Sequence, residues 1–302
     1  MNTTPAGATI PGVTHHRVEV NGTTLHYVAA GSGGTPILLV HGFPETWWAF
    51  HKLIPLLATH HRVFAVDLRG FGDSDNAPGT YDSATVAEDL HQLIEHLGAG
   101  PVHLTGQDIA GASVFRLATM HPQHVLSLTA IETGLPGFGM EVLADITHGG
   151  IWYIGVLAAP GIPEMLLTGR EREFLGEFLF PALTTTPGAL TEADIAEFAR
   201  TYARPNGWRG AAGLYRSMLH EGPEITALAQ TPGLTVPVLA VGARSGPFTV
   251  TTMTQATTKE VSAASLAGVG HYAALEAPEE LAKAIVEFTT HIDPVAGVLL
   301  HH

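Results

Sequence analysis

The 302-residue chain is 45 % hydrophobic and only 14 % charged, which is ample for one large core or for a core domain with an insertion. Its formal net charge of −14 argues against nucleic acid or an anionic membrane as partner, since both reward an excess of lysine and arginine, and it disfavours a strongly anionic substrate unless one local arginine overrides it. The absence of cysteine excludes disulfides, thiolate catalysis and cysteine metal sites.

Residues 1–14 are rich in Thr, Gly and Pro, with no basic stretch followed by an apolar run, so no signal peptide is expected and the location expected is cytoplasmic. The apolar runs are strand-sized and none is long enough to span a bilayer. Residues 18–20 and 23–28 flank Asn21-Gly22, a dipeptide that favours a tight type I′ hairpin because both central residues need positive φ. Residues 37–40 read as a buried strand, 46–58 as a helix, 63–66 as a second buried strand and 83–98 as an amphipathic helix. A third strand at 102–105, a helix at 109–120 and a fourth strand at 125–131 follow. Strands alternating with helices imply a mostly parallel sheet.

The alternation stops after Ile131. Residues 134–225 look helical and irregular, and strands resume at 238–241 and 261–266 before a last helix at 278–290. The simplest organisation is an α/β core of residues 1–133 and 226–302, interrupted by a helical cap of residues 134–225 at the C-terminal edge of the sheet, where open α/β sheets bind ligands. The closing His301-His302 pair receives no function.

Three turns at strand ends carry candidate chemistry. Gly106-Gln107-Asp108-Ile109-Ala110-Gly111 lies between a buried strand and a helix, with small residues flanking an acidic apex. Such a strand-to-helix turn holds its apex side chain out over the sheet edge, although an Asp here equally suits a helix N-cap. His41-Gly42-Phe43-Pro44 follows a buried strand and can aim the Phe43 N–H at a developing oxyanion, with the Ile109 N–H as partner. It can also be an ordinary strand exit. Gly268-Val269-Gly270-His271 puts a histidine on a late loop that can reach the apex. Most of the 18 histidines are expected on the surface, including the pairs His15-His16 and His60-His61, and no metal-binding spacing such as HExxH occurs.

Taken together, these turns resemble the epoxide-hydrolase branch of the α/β-hydrolase family, related to Asp-nucleophile dehalogenases, over nearly the full length. His41-Gly42-Phe43-Pro44 continues as Glu45-Thr46-Trp47-Trp48, and Leu68-Arg69-Gly70-Phe71-Gly72-Asp73-Ser74 resembles the family's loop after the next strand. The resemblance implies an α/β-hydrolase fold with a cap inserted after the sixth strand and Asp108 as nucleophile. The family's elbow usually reads G-H-D-x-G-G, so Gln107 departs from it. Tyr153, seven residues before Pro160, and Tyr215, followed by Arg216, match two cap tyrosines that point at the nucleophile in the family; both could otherwise be cap packing. His41, Pro44, Gln107 and Trp152 are expected in the substrate pocket.

Many family members place an Asp after the strand that here is 238–241, but this loop reads Gly242-Ala243-Arg244-Ser245-Gly246-Pro247. A His base needs an acceptor on its other nitrogen to hold the right tautomer. The resemblance to a subset of related enzymes assigns that acid to Glu132, with Asp145 and Glu141 as weaker candidates. It implies epoxide opening through an Asp108 ester, the alkoxide protonated by Tyr153 and Tyr215, and ester hydrolysis by water activated by His271. No metal or cofactor is expected. The partners expected are a small, hydrophobic epoxide and water, in a monomer or homodimer. Two alternatives stand beside this: a haloalkane- or haloacid-type dehalogenase, and a non-catalytic, ligand-binding member of the fold.

Overall fold

A computed structural model describes residues 2–76 and 78–299; the His301-His302 pair lies outside the described residues. Strands β1 (Asn2–Thr3), β2 (Thr14–Val20), β3 (Thr23–Ala30), β4 (Pro36–Val40), β5 (Arg62–Val66), β6 (Val102–Gln107), β7 (Val125–Ile131), β8 (Val238–Gly242) and β9 (Val261–Ser265) form one sheet. The spatial order is β1-β2-β3-β5-β4-β6-β7-β8-β9. β1, β2, β3 and β5 pair antiparallel, and every pair from β5 through β4 to β9 is parallel. The β2–β3 turn has positive φ at both Asn21 (43°) and Gly22 (71°), as a type I′ hairpin requires.

β4, β6 and β8 are buried at every residue, because helices cover both faces of a parallel sheet. The chain leaves β4 for β5 on one side and later returns to β6 on the other. This reversal opens a crevice at the C-terminal ends of β4 and β6, where ligands bind in such sheets.

Helix α1 (Ser83–Leu97) starts on Asp82, whose side chain accepts the Thr85 N–H, and stops at Gly98 in the left-handed region. Helix α2 (Gly111–Met120) leaves the crevice directly after β6. Residues 46–58 do not form the single helix expected. They form a 3₁₀ turn, Trp47–Phe50, and a short helix, Ile54–Leu57, because Pro55 has no N–H to continue one into the other.

Between β7 and β8 the chain forms helices, among them α3 (Trp152–Ala158), α4 (Glu192–Tyr202), α5 (Arg209–Met218) and α6 (Gly222–Gln230). The insertion follows the sixth strand if the two-residue β1 is set aside. The expected boundary between 225 and 226 falls inside α6. Helix α7 (Phe248–Ala256) follows β8, and α8 (Pro278–Leu299) extends beyond the expected 290. Among the described residues no helix is long and apolar enough to cross a membrane.

Two of the histidines expected at the surface are buried. His15 Nδ1 lies 2.9 Å from His26 Nε2, and His26 Nδ1 lies 2.7 Å from Asp67 Oδ2. His61 sits between Thr35 and Thr289. Their hydrogen bonds replace water, which lets these rings leave the surface. His60 is exposed, and the partly exposed His16 stacks on Tyr27.

Candidate active site

β6 ends at Gln107, and Asp108 turns the chain with φ 52° in the left-handed region. The turn needs its small neighbours. A Cβ on Gly106 would stand 2.4 Å from the Val114 side chain, and one on Gly42 would stand 2.4 Å from Asp108 Cβ. The Thr133 hydroxyl donates to the Asp108 carbonyl and ties the turn to the end of β7.

The carboxylate this turn presents has two partners. The Phe43 N–H donates to Asp108 Oδ1 at 3.0 Å, and His271 Nε2 lies 3.1 Å from Oδ2. His271 Nδ1 lies 3.2 Å from Glu132 Oε2. The three side chains expected to act together are therefore joined in one hydrogen-bonded row. Ile109 is buried directly after Asp108.

Glu132 also turns through the left-handed region, with φ 46°. Its Oε1 accepts the Ala243 N–H at 2.5 Å and the Ser245 hydroxyl at 2.6 Å, and its Oε2 accepts the Ser245 N–H at 3.0 Å. The loop that supplies no acid is thus folded over the acid from the neighbouring strand. Burial pushes the Glu132 carboxyl up, but the hydrogen bonds and charge of His271 and the bonds from Ser245 and Ala243 outweigh it and hold it below the usual range. Asp145 instead bonds Thr147 and His148 at the exposed surface, and Glu141 accepts the Gly137 N–H, so neither weaker candidate serves His271.

Burial lowers the His271 pKa, but the hydrogen bonds and charges of Asp108 and Glu132 win and push it up to about 10. An imidazolium between two carboxylates is the resting arrangement.

Asp108 and His271 open on a cavity of about 310 Å³ whose lining includes Tyr153 and Tyr215 from α3 and α5. The insertion therefore lies over the sheet edge. Phe43 wedges between the two tyrosines, with ring centroids 6.2 Å from Tyr153 and 5.3 Å from Tyr215. Burial first, then the negative charge of Asp108, raises both phenols above their ordinary range, so both remain hydrogen-bond donors.

The four expected pocket residues do not line this cavity. His41 is fully buried: its Nδ1 lies 2.8 Å from the Gly42 carbonyl and its Nε2 accepts the Leu68 N–H at 3.1 Å, so it clips the turns after β4 and β5 together. Pro44 is buried beside it. Trp152 precedes Tyr153 on a helix that advances about 100° per residue, so turning Tyr153 inward turns Trp152 out. It is 48 % exposed and packs on Phe178.

Gln107 is fully buried and donates through Nε2 to Glu45 Oε1 at 3.2 Å. Glu45 is a group the sequence reading missed. Burial, the largest influence, pushes its carboxyl up to about 8, aided by the Asp108 charge and opposed by His271, Gly42 and Gln107. The available signal was a carboxylate inside an otherwise apolar turn, Phe43-Pro44-Glu45-Thr46-Trp47. Among the described residues, three groups of His, Asp and Glu bring ligand atoms within 4.8 Å of one another: Glu88, His91 and His121; His91, Glu95 and His124; and His26, Asp67 and Asp73. None of them includes Asp108, Glu132 or His271.

A carboxylate on a sharp strand-to-helix turn, backed by a His–acid pair and facing a helical insertion, defines an α/β-hydrolase-type centre. The family model for the alpha/beta hydrolase fold matches residues 35–151. A soluble epoxide hydrolase of Corynebacterium sp. (strain C12) is 31 % identical over 284 residues, covering 91 % of this chain and 97 % of the relative. The solved structure of the epoxide hydrolase CorEH without ligand superposes with a TM-score of 0.82 at 30 % identity, covering 92 % of this chain and 99 % of the other. A fluoroacetate dehalogenase of Burkholderia sp. is 30 % identical over 213 residues, covering 68 % of this chain and 69 % of the relative. The chain belongs to the α/β-hydrolase family, in its epoxide-hydrolase branch, and is a hydrolase.

Proposed function

We propose that this hydrolase opens epoxides to vicinal diols through a covalent ester on Asp108. The observation that carries the reading is the convergence of a carboxylate, a His–Glu pair and two phenols on one apolar cavity.

A carboxylate is ionised at neutral pH and attacks without a base, unlike a serine. Oδ2 of Asp108 bonds to a ring carbon, the ring C–O bond breaks, and the leaving alkoxide takes a proton from Tyr153 or Tyr215. Oδ1 keeps the Phe43 N–H and becomes the ester carbonyl oxygen. Esterification of Oδ2 removes the Asp108 hydrogen bond, the strongest of the influences that hold the His271 proton, together with the Asp108 charge. The proton His271 then loses restores the phenolate to a phenol, and the neutral ring, still oriented by Glu132, takes a proton from water as that water attacks the carbonyl carbon. The oxyanion rests on the Phe43 and Ile109 amides. Collapse releases the diol and restores the carboxylate.

Halide displacement by the same carboxylate is the second reading, favoured by the similarity to the fluoroacetate dehalogenase. The leaving-group side of the cavity argues against it. The described lining has phenols but no indole or asparagine amide to cradle halide, and the Trp48 indole donates to Asp194 instead.

Intact-mass measurement of His271→Ala after incubation with a small epoxide panel tests the proposal. An adduct of protein plus the whole epoxide mass is expected, since attack survives and ester hydrolysis does not. Diol released by the wild type with no adduct in the variant would overturn the ester. An adduct formed only from a haloacid, and lacking the halogen, would favour the second reading.

A further inference from the structure

Three histidines meet at the end of α2 that is far from the nucleophile. His91 stands on α1, His121 closes α2, and His124 ends the 3₁₀ turn Pro122–His124 that leads into β7. The His91 and His121 rings stack with centroids 3.7 Å apart and planes 18° apart, while the His124 ring meets His91 edge-on at 4.9 Å and 74°. α2 starts beside Asp108 and runs for 10 residues, which puts this group about 15 Å from the nucleophile.

Both ring nitrogens of His91 are shielded from solvent, and among the described residues neither has a hydrogen-bond partner. Buried polar atoms are rarely left in that state. Two carboxylates flank the ring just beyond hydrogen-bond distance: Glu88 Oε2 is 3.6 Å from Nδ1, and Glu95 Oε1 is 3.8 Å from Nε2.

We propose that His91 Nε2, Glu95 and His124 hold a divalent transition-metal ion of the zinc class, with Glu88 orienting His91 through Nδ1. The site is separate from Asp108 and does not rest on the epoxide reading.

Geometry supports it first. His91 and Glu95 are four residues apart on one helix and so share a face. His124 comes from another segment, its backbone held by an N–H bond to the His121 carbonyl at 2.9 Å. Because two segments supply the ligands, no contiguous motif announces them. Ligand atoms of the three residues lie within 4.8 Å of one another. A tetrahedral zinc ion spaces its ligands about 3.3 Å apart, so side-chain rotation must close at most about 1.5 Å.

The donor set points the same way. Two imidazoles and one carboxylate suit zinc, copper or nickel, whereas magnesium and calcium take oxygen ligands. A carboxylate on the second nitrogen of a ligating histidine fixes its tautomer, and Glu88 is placed for that task. His121 lies nearly parallel to His91, so its in-plane lone pairs run alongside those of His91 and do not converge with them; it packs the ligand ring. The net charge of −14 favours a cation anywhere on this chain.

A protonated His91 paired with both glutamates is the competing account. Charge-assisted N–H bonds to carboxylate close to about 2.7–2.9 Å. At 3.6 and 3.8 Å neither bond is made, and the account gives His124 no part.

Calorimetry of the metal-stripped full chain with zinc chloride tests the proposal, in a background of His301→Ala and His302→Ala so that the closing pair supplies no ligand. One equivalent should bind, and the Tm should rise with zinc concentration. Glu88→Gln should weaken binding by about 10–100-fold, the usual loss for the partner of a ligating histidine, and His91→Ala or His124→Ala should weaken it further. Glu95→Gln alters a side chain that is 55 % exposed, so it should lose affinity without lowering the metal-free Tm. His271→Ala should leave zinc binding unchanged, and magnesium should not compete. No zinc binding, magnesium competing on equal terms, or affinity left intact by His91→Ala and His124→Ala overturns the proposal. If either alanine variant fails to fold, unchanged affinity in Glu95→Gln overturns it alone. Zinc binding lost in His271→Ala would put the ion at the active centre and overturn it equally.

Discussion

Asp108 and Glu132 directly follow the neighbouring parallel strands β6 and β7, and both hold the left-handed backbone conformation, with φ of 52° and 46°. The other described non-glycine residues with positive φ are Asn21 and Asn206, a residue type that tolerates the region. Asp shares that tolerance, whereas for a residue such as Glu132 the region costs roughly 1–2 kcal/mol. The two turns bend acidic side chains from adjacent strands onto opposite nitrogens of one imidazole. The unfavourable backbone at Glu132 marks a position held by its surroundings rather than by local preference.

Glu132→Gln is the sharpest test of that pairing. The substitution keeps the shape but removes the charge, and it turns one acceptor oxygen into a donor facing the Ala243 and Ser245 donors. Rapid-quench kinetics should give a rate of ester formation changed far less than the rate of ester hydrolysis, which should fall by up to about 10⁴-fold, the loss for a His deprived of its orienting acid. The alkyl-enzyme should then accumulate in the intact mass. Calorimetry should also give a lower Tm, because the loop over Glu132 loses bonds. Equal slowing of both chemical steps would contradict the assignment.

The resting imidazolium predicts a pH signature. His271 titrates near 6.5 when unfolded and is pushed up to about 10 in the native state, where burial is outweighed by Asp108 and Glu132. The native protein therefore keeps a proton that the unfolded chain releases. The stability this adds is fully present below about pH 6.5 and is lost as pH rises through about 10. The ¹⁵N NMR titration of His271 should lie well above neutrality in wild type and move down in Asp108→Asn, which mimics loss of the carboxylate charge on esterification. A wild-type ring titrating at its ordinary value would refute the sandwich.

Tyr153 and Tyr215 should act before the ester exists. Tyr153→Phe and Tyr215→Phe should each slow ester formation by about 10²-fold, the lower range for a lost general acid, and the double variant should be slower still. Ester hydrolysis should change little. Because burial and the Asp108 charge raise both phenols, no loss of the alkylation rate through phenol ionisation is expected near pH 10. A single-variant effect confined to ester hydrolysis would argue that the tyrosines only pack.

The parts of this site legible in sequence are those whose chemistry is local. Asp108, Phe43 and His271 each follow a strand in a turn built of small residues, and the clash a Cβ would make at Gly42 or Gly106 is the physical content of that pattern. Glu132 emerged by default, from a β8 loop without an acid, and the bonds from Ala243 and Ser245 supply the reason that loop needs none. Orientation within the cap was not legible: two aromatic neighbours, Trp152 and Tyr153, read alike as letters, and only helix packing decides which turns inward. Burial of polar groups was missed for the same reason. His15, His61 and Glu45 each have a partner on a distant segment, beside the local Thr9 for His15 and Gly42 N–H for Glu45, so a local window contains only part of the hydrogen bonding that lets them leave water.

Glu45 gives the last prediction. It is fully buried, and its carboxyl is pushed up to about 8 chiefly by that burial, against the opposing pull of His271, Gly42 and Gln107. An ordinary glutamate loses its proton near 4.5, so between these values the native state binds a proton that the unfolded chain does not. Stability must then fall as pH rises through the window, the reverse of a salt-bridged carboxylate. Glu45→Gln has the same shape and can keep a contact with Gln107, but it has no proton to lose. Its Tm should match wild type at about pH 5 and exceed it by a few degrees at about pH 9, where wild type carries a buried charge. If the two Tm curves run parallel from acid to alkaline pH, Glu45 is ionised throughout. The carboxylates around His271 would then include a third negative charge behind Asp108, and the Gln107 amide would be its main solvation.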